Sequence, residues 1–392
     1  MTHREHGAAG TQLSALHAQL VGWLVNDAYP RWAEHGIDAR NGGFIETIGQ
    51  DGRGLADPRR ARVHPRQVYA FAQARGFGWR GDVAGIVSRG MEYFIVHYLR
   101  SDGLFRTLAA ADGAALDERA LLYDQAFALL GLAAAAAALD ARAEFEMRAL
   151  ALRGLIESRL GTADGSLRSE AGAADVRESN PHMHLLEACL AWAEIGNDAG
   201  WAAWVGRLVD LAAARFLRRE LGAIGECFTA AWQPAPGPAG RVIEPGHQFE
   251  WAWLMLRSEN AHPSALRETA LREMALRLIA VGDEYGVRNG VVINEMFDDW
   301  TAKDDNARLW PQTERLKAAL LAATLTHQPH YWSMAEAAAM SLLPYLQTSV
   351  PGLWFDVQRP DGTLRNSPAP ASTLYHLVGA IAALGTALHS GS

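Results

Sequence analysis

The sequence predicts an all-α protein, an (α/α)6 barrel (toroid) with short β-hairpins at the mouth where an active site would lie. Apolar residues recur at helical spacing in twelve separate stretches. Six short glycine-led segments of strand or hairpin character lie between them, roughly sixty residues apart. Six units of helix, hairpin and helix are enough to close a double-walled ring. An open helical solenoid is the alternative, but six units without distinct capping repeats favour closure.

The helical stretches fall into pairs, and we expect each pair to supply both walls of the ring. The inner helix of a pair would be apolar nearly all round, and the outer helix amphipathic. The alanine run 133–139 suits close packing in such a wall. The predicted helices, with boundaries good to about four residues, are 11–28, 65–77, 83–99, 118–139, 141–160, 180–196, 198–218, 247–258, 264–282, 307–325, 331–346 and 371–389.

The segments between helices begin with glycine and have strand character, and several end in an Asp-Gly turn. Such turns are found at Asp51-Gly52, Asp112-Gly113 and Asp361-Gly362. The pattern predicts one short hairpin in each unit. The six segments are 43–48, 103–107, 165–168, 222–228, 290–295 and 352–357.

The composition indicates one globular domain, residues 1–392. Hydrophobic residues make up 49% of the chain, enough for a large core, and no linker or charge block divides it. The net charge of −8 argues against nucleic-acid binding, and no apolar stretch is long enough to span a membrane. The two cysteines form no metal spacing or disulfide framework, and the N-terminus lacks a signal-peptide core. We therefore expect a cytoplasmic protein.

Each unit places polar or aromatic side chains at the start of its second helix. Any one of them has an ordinary explanation as a cap, a core histidine or a surface charge. Six sets in phase are harder to explain in that way, and in a toroid they would converge on one mouth. The sets are Arg66; Tyr123 with Asp124; His184; His247 with Glu250; Trp310 with Glu314; and His376.

The run 244–253 carries the clearest chemistry among these sets. Pro245-Gly246 opens a helix, so His247 lies in its first turn, and Glu250 leaves the same face three residues later. Histidine titrates near neutrality, and a carboxylate within reach fixes its tautomer and raises its basicity. The alternative interpretation is a capping histidine ahead of a core helix.

Arg66 ends a basic run, residues 58–66, and precedes an aromatic, apolar helix. We place Arg66 at the mouth. Arg59 and Arg60 are instead expected to belong to a solvated basic surface.

No metal and no cofactor are expected. His182 and His184 cannot share a helix face, and no His-x-x-x-His or Cys-x-x-Cys spacing occurs. Glycine-rich phosphate loops and a Gly-x-Ser-x-Gly elbow are missing as well. Trp310, beside acids and histidines, suits a small-molecule sugar, whose C–H face stacks on aromatic rings. Self-association is left open, with a homodimer as the candidate assembly.

Five runs of the sequence resemble the N-acylglucosamine 2-epimerase superfamily. That superfamily includes 2-epimerases of N-acylglucosamine and cellobiose, and aldose–ketose isomerases of mannose and related sugars. The resemblance implies an (α/α)6 barrel, with His247 and His376 as the acid/base pair and Arg66, His184 and Glu250 in supporting positions. The runs are 66–71, 180–188, 246–253, 310–314 and 375–376.

The chemistry implied is removal of the C2 proton of an open-chain sugar. We expect His376 to act as this base, His247 to act in ring opening, and Arg66 to stabilise the cis-enediolate, with an exchange of the two histidine roles as the alternative. Glu250 and Glu314 would orient the histidines or bind hydroxyls, and Tyr123, Asp124, His184 and Trp310 would contact substrate.

A mannose/fructose type of aldose–ketose isomerase is the favoured function. A 2-epimerase would use the same residues but return the proton to the opposite face of C2. A glycoside hydrolase on the same toroid would use two carboxylates from among Asp124, Glu250 and Glu314. A glycan-binding module without turnover would leave the in-phase histidines unexplained.

Overall fold

A computed structural model describes residues 3–170, 176–259 and 265–390 of the chain. The inner helices are α3 (Val63–Gln73), α5 (Leu122–Ala138), α7 (Ser179–Ile195), α9 (Pro245–Ser258), α11 (Leu309–Thr326) and α13 (Ser372–Ser390). The outer helices are α1 (His3–Trp23) continued by a π turn (Leu24–Ala28) into α2 (Tyr29–His35), then α4 (Val83–Tyr98), α6 (Arg142–Leu160), α8 (Gly200–Leu211), α10 (Ala265–Gly286) and α12 (Pro329–Leu346).

The inner helices form a closed ring. Each packs on the next, from α3 through α5, α7, α9 and α11 to α13, and α13 packs back on α3. Every outer helix lies against the inner ring, and Trp32 of α2 stacks on Trp354 with 4.9 Å between ring centroids. The predicted (α/α)6 toroid is confirmed.

Alanine and glycine allow the inner helices to approach each other closely. In α5 the run from Ala133 to Ala136 is buried on every side, as an inner wall requires. A Cβ at Gly131 would lie 2.5 Å from the Cβ of Pro65 on α3, so no larger residue fits there. Although α5 is apolar nearly all round, no helix within the described ranges is both long and apolar enough to cross a membrane.

Within the described ranges, sixteen short strands lie in the connections that run from an outer helix to an inner one. They are β1 (Thr47–Ile48), β2 (Arg59–Arg60), β3 (Leu108–Ala109), β4 (Ala115–Asp117), β5 (Val176–Glu178), β6 (Leu217–Arg218), β7 (Ala223–Ile224), β8 (Cys227–Thr229), β9 (Val242–Ile243), β10 (Val287–Arg288), β11 (Val291–Val292), β12 (Glu295–Phe297), β13 (Ala302–Asp304), β14 (Ala307–Arg308), β15 (Val357–Gln358) and β16 (Ala369–Pro370).

Their pairing repeats around the mouth. The segment that leads into each inner helix pairs antiparallel with the hairpin of the next unit. The pairs are β2 with β3, Leu121 with Glu170, β5 with β8, β9 with β12, β14 with β15, and β16 with β1. The last pair joins the end of the chain to its first unit, so the hairpins form a circle that fixes the starts of the inner helices.

The glycines that open the six hairpin segments all have positive φ. Only glycine adopts this conformation at little cost, which explains the regular glycine in the sequence. The angles are 69° at Gly43, 85° at Gly103, 81° at Gly165, 66° at Gly222, 84° at Gly290 and 83° at Gly352.

Two predicted helices differ from the structure by more than four residues. The first was predicted over 11–28, but in the structure it begins at His3 and continues through the π turn to His35. Pro30 lies in the first turn after the π turn, where its missing N–H is not needed. The helix predicted over 198–218 ends in a second π turn, Ala212–Phe216, followed by β6. Residue 264, the predicted start of another helix, lies outside the described residues.

The prediction of a solvated surface at Arg59 is wrong. Only 1% of Arg59 is exposed. Its guanidinium pairs with Asp38 and donates to the carbonyl of Gly42 at 2.8 Å and to the Tyr93 hydroxyl at 3.3 Å. Arg60 is half-exposed and donates to Glu46 at 2.6 Å. Both arginines therefore hold the first hairpin against the start of α3.

Candidate active site

The mouth formed by the hairpins opens into a cavity of about 410 Å³, a size suited to a small molecule. The inner helices point their N-terminal ends at this cavity. Seven of the nine predicted site residues line it, namely Arg66, Tyr123, His184, His247, Glu250, Trp310 and His376. Each of the six units thus places at least one predicted helix-start side chain at the same mouth.

The remaining two predicted residues, Asp124 and Glu314, are fully buried and do not line the cavity. Asp124 accepts a hydrogen bond from Thr107 and pairs with Arg62 at 3.2 Å. Their expected contact with substrate is therefore corrected to a position behind the cavity wall, where Glu314 can still orient a histidine, the other role expected of it.

His247 is held by carboxylates that precede it in the chain. Its Nδ1 lies 3.0 Å from Oε2 of Glu226, beside strand β8, and 3.6 Å from Oε2 of Glu244. The expectation that Glu250 orients His247 is wrong, because Nδ1 of the imidazole faces Glu226 in the hairpin. Burial alone would lower the pKa of His247, but Glu244 and Glu226 outweigh it and raise the pKa to about 10. Burial raises the pKa of Glu244 itself to about 7, and Glu226 is the carboxylate at hydrogen-bond distance from His247.

Trp310 stands between the two candidate histidines. Its ring centroid is 5.2 Å from that of His247 and 5.6 Å from that of His376. This packing explains Gly246, since a Cβ there would lie 2.5 Å from the indole. The glycine before His247 is thus required by a neighbouring unit.

His376 is held by a carboxylate from a different helix. Its Nδ1 lies 2.8 Å from Oε1 of Glu314 on α11. Burial, with the positive charges of Arg66 and Lys317, lowers the pKa of His376 well below its ordinary value of 6.5. The two histidines therefore have opposite charge states near pH 7: His247 is an imidazolium and His376 is neutral.

Arg66 lies among aromatic rings instead of carboxylates. Its guanidinium carbon is 4.1 Å from the ring centroid of Phe127 and 5.2 Å from that of Tyr375. It donates one hydrogen bond, 2.7 Å long, to the Tyr123 hydroxyl. No carboxylate pairs with Arg66 among the described residues, so its charge remains available at the cavity.

Glu250 faces the cavity with both oxygens lacking a hydrogen-bond donor from the described part of the chain. Burial and the nearby Glu314 raise its pKa well above the ordinary value. His184 Nδ1 lies 3.6 Å from Glu250 and 3.5 Å from Glu187. Burial lowers the pKa of His184 to about 4, so this histidine is neutral.

Sequence reasoning missed Glu226, Glu187 and Lys317, which hold the predicted residues in place. Glu226 was visible as an acid inside the hairpin segment 222–228, and a search of the hairpins in phase would have found it. Glu187 accepts a hydrogen bond from the Tyr375 hydroxyl. Glu187 belongs to the run 180–188, yet a single run does not indicate its partner on α13.

The structure also brings together groups that could bind a metal, which spacing along one helix did not show. Each has three candidate ligands from two or more elements. They are His184, Glu187 and Glu250; Glu226, Glu244 and His247; and Glu250, Glu314 and His376.

Activity is nevertheless expected to survive EDTA. Protein cations already neutralise these acids: the Lys317 ammonium lies 2.6 Å from Glu314, and charged His247 lies 3.0 Å from Glu226. The measurement is the initial rate after dialysis against EDTA, compared with dialysis against calcium-saturated EDTA. A rate lost only in free EDTA and restored by one divalent ion would contradict this prediction.

Comparison with known proteins supports the family and the fold. The family model for N-acylglucosamine 2-epimerase matches residues 43–380. The mannose-6-phosphate isomerase of Rhizobium meliloti is 42% identical over 95% of this chain and 97% of its own length. A D-mannose isomerase structure superposes with a TM-score of 0.82 at 20% identity, covering 96% of this chain and 97% of its own. A sugar epimerase from a ruminal bacterium superposes with a TM-score of 0.84 at 18% identity, covering 94% and 98%. These two structural similarities show the fold alone.

Proposed function

The chain belongs to the N-acylglucosamine 2-epimerase family, and from this premise we propose that it interconverts mannose and fructose by histidine acid–base catalysis. At the coarser level it is a sugar isomerase of the aldose–ketose type. The proposal concerns three points: which sugar is used, whether the reaction is isomerisation or 2-epimerisation, and which role each residue has.

One observation carries the mechanism: two histidines, with pKa values shifted in opposite directions by their surroundings, flank Trp310 in one cavity. Environments that push apart the pKa values of two titratable groups assign one as acid and the other as base. His247, with a raised pKa, keeps a proton to donate. His376, with a lowered pKa, keeps a free lone pair on Nε2 because Nδ1 faces Glu314.

The steps follow from these states. His247 protonates the ring oxygen as the pyranose opens, and the C1 hydroxyl proton passes to water at the mouth. His376 then removes the C2 proton and leaves a cis-enediolate. Arg66 stabilises the negative charge on O1 and O2, since no carboxylate competes for its guanidinium. Return of the proton from His376 to C1, together with transfer of the O2 hydroxyl proton to O1, gives the ketose.

The 2-epimerase remains the alternative outcome. It requires a proton on the opposite face of C2, and His247 carries one. Support for the isomerase comes from the relative at 42% identity, whose name is that of an isomerase. The hydrolase is less well supported, because two of its three candidate carboxylates, Asp124 and Glu314, do not reach the cavity.

We favour the free sugar over its 6-phosphate. Two arginines at the rim already pair with carboxylates: Arg60 with Glu46, and Arg308 with Asp356 at 3.0 Å. The mannose 6-phosphate alternative has one observation in its favour. These side chains are 41% and 42% exposed and flank the N-terminus of α13, where an anion would be stabilised.

A panel of sugars followed by ¹H NMR tests the proposal. The panel contains mannose, fructose, glucose, N-acetylglucosamine, cellobiose and the 6-phosphates of mannose and fructose. Mannose and fructose are expected to be the only sugars of the panel that are converted, mannose to fructose and fructose to mannose. Glucose formed directly from mannose would indicate the epimerase, turnover of phosphorylated sugars only would indicate the phosphate substrate, and two sugars from cellobiose would indicate the hydrolase.

The pH profile of kcat/KM for mannose is expected to be flat from about pH 6.5 to near pH 10. His376 must be neutral, and its pKa lies well below 6.5, so the acid limb falls below that pH. His247 must be charged, and its pKa is raised to about 10, so the alkaline limb lies there. The measurement uses buffers of constant ionic strength, with circular dichroism at each pH as the control for unfolding. Limbs centred near pH 6.5 on both sides would contradict the assigned charge states.

A further inference from the structure

The chain contains only two lysines, Lys303 and Lys317, among its 36 lysine and arginine residues. Lys303 lies on the half-exposed strand β13 and pairs with Glu295. Lys317 is on the inner helix α11 and is 2% exposed. A fully buried lysine is uncommon in proteins unless it is paired.

The ammonium of Lys317 lies directly behind the cavity. Its Nζ is 2.6 Å from Oε2 of Glu314, one helical turn earlier, and 3.9 Å from the ring centroid of Trp253. Glu314 in turn lies 2.8 Å from Nδ1 of His376. Lys317, Glu314 and His376 thus form a series of side-chain contacts that ends at the cavity.

Glu314 and Glu250 are so close that ionisation of one carboxyl group disfavours ionisation of the other. An oxygen of each carboxylate and a ring nitrogen of His376 lie within 4.8 Å of one another. Two like charges this close in a buried site raise each other's pKa, so one of them tends to hold a proton. Whether Glu314 is the ionised member decides which nitrogen of His376 carries its proton.

We propose that Lys317 is a positioning residue that keeps the negative charge on Glu314, so that Glu314 accepts the Nδ1 proton of His376 and Nε2 stays free. This inference rests on the proposed role of His376 as the base. Lys317 contacts Glu314, whereas Glu250 has no such cation at hydrogen-bond distance among the described residues. The other titratable groups around this cluster are Glu187, His184, Tyr375 and Arg66.

Stability alone does not account for this lysine. Replacing a buried ion pair by well-packed apolar residues is often neutral or stabilising, so a purely structural site has little need for the charge. An apolar side chain of similar length, such as methionine, could pack on Trp253 in the same place. The charge itself is therefore the feature that needs explaining.

Loss of the charge has a defined consequence for His376. Without Lys317, Glu314 takes up a proton and its hydroxyl donates to Nδ1. The ring proton then resides on Nε2, where it blocks acceptance of the C2 proton. Substrate binding is unaffected in this account, because neither Lys317 nor Glu314 lines the cavity.

The test compares Lys317→Met with Lys303→Met, the matched control. In Lys317→Met, kcat for mannose is expected to fall about 100-fold, in line with loss of a general base, with KM within about twofold. The ¹⁵N spectrum of histidine-labelled protein, with His376 assigned by difference from His376→Gln, should show the proton on Nδ1 in wild type and on Nε2 in Lys317→Met. Lys303→Met should match wild type in both. A folded Lys317→Met with wild-type kcat and an unchanged tautomer would overturn the proposal.

A measurement on the wild-type protein covers the case in which Lys317→Met does not fold. Lysine labelled at Cε gives only two side-chain signals, assigned with Lys303→Met. Lys317 is expected to remain charged at pH 7, and a neutral amine would overturn the proposal. The spectra need no turnover, so a protein inactive on every sugar would refute the proposed function separately from the tautomer assignment.

Discussion

His376→Ala and His247→Ala are each expected to lower kcat by about 10²–10⁴-fold, the contribution typical of a general acid or base. Both side chains line the cavity, and each is held by its own carboxylate, Glu314 for His376 and Glu226 for His247. The folds should be retained, because each alanine leaves the helix start intact. Circular dichroism and the melting temperature check this, and His330→Ala, at an exposed position on an outer helix, is the matched control.

Exchange with D₂O separates the two roles. Wild type should place deuterium at the carbon that is reprotonated, provided that the histidine proton exchanges with water. If His376 removes the C2 proton, His376→Ala should incorporate none. His247→Ala should still exchange slowly when given a substrate already in the open form. Full activity in either variant would favour a capping or core role for that histidine and would transfer the chemistry to the carboxylates.

The sequence was sufficient to predict the ring, because the patterns that indicate the ring are local and recur in each unit. A glycine with positive φ at the start of each hairpin is needed wherever the chain makes that turn, so it recurs once per unit. The starts of the inner helices recur in the same phase, and closure of the ring brings them together. Arg66, His184, His247 and His376 were therefore predictable at one cavity without knowledge of any contact.

The partners of these residues were not predictable because they come from other elements. Glu226 reaches His247 because its hairpin packs on the start of α9, where the Gln248 side chain bonds the backbone of Ile224, a contact that no single run encodes. The i,i+3 rule placed Glu250 beside His247, but this rule describes neighbours on an isolated helix. In the barrel, Glu250 lies beside His184 on α7 instead.

The predictions for charged residues failed for the same reason. A basic run ordinarily indicates a solvated surface, yet Arg59 is buried because Asp38 and Tyr93 approach from elsewhere in the first unit. Glu314 and Lys317 have the spacing of an ordinary surface ion pair. Their position on an inner helix makes them a buried pair, which periodicity alone does not distinguish.

Arg66→Ala is expected to lower kcat about 10²–10³-fold, the effect typical of removing one group that stabilises an oxyanion. The guanidinium is fixed by Phe127 and Tyr375 and by its hydrogen bond to Tyr123, so it is oriented before substrate arrives. Arg66→Lys should recover little of the loss, because a flexible ammonium does not reproduce a planar group held between aromatic rings.

The measurement is kcat and KM for mannose, with Arg75→Ala as the control. Arg75 is exposed just beyond the end of the same helix, so its loss should change neither constant. If Arg66 only contributed general positive potential, Arg66→Lys would retain most of the activity, since the charge is unchanged. If instead Arg66 stabilises the enediolate by position, both variants lose turnover while the melting temperature stays near that of Arg75→Ala. Full retention of kcat in Arg66→Ala would remove the arginine from the mechanism and leave the enediolate charge to His247.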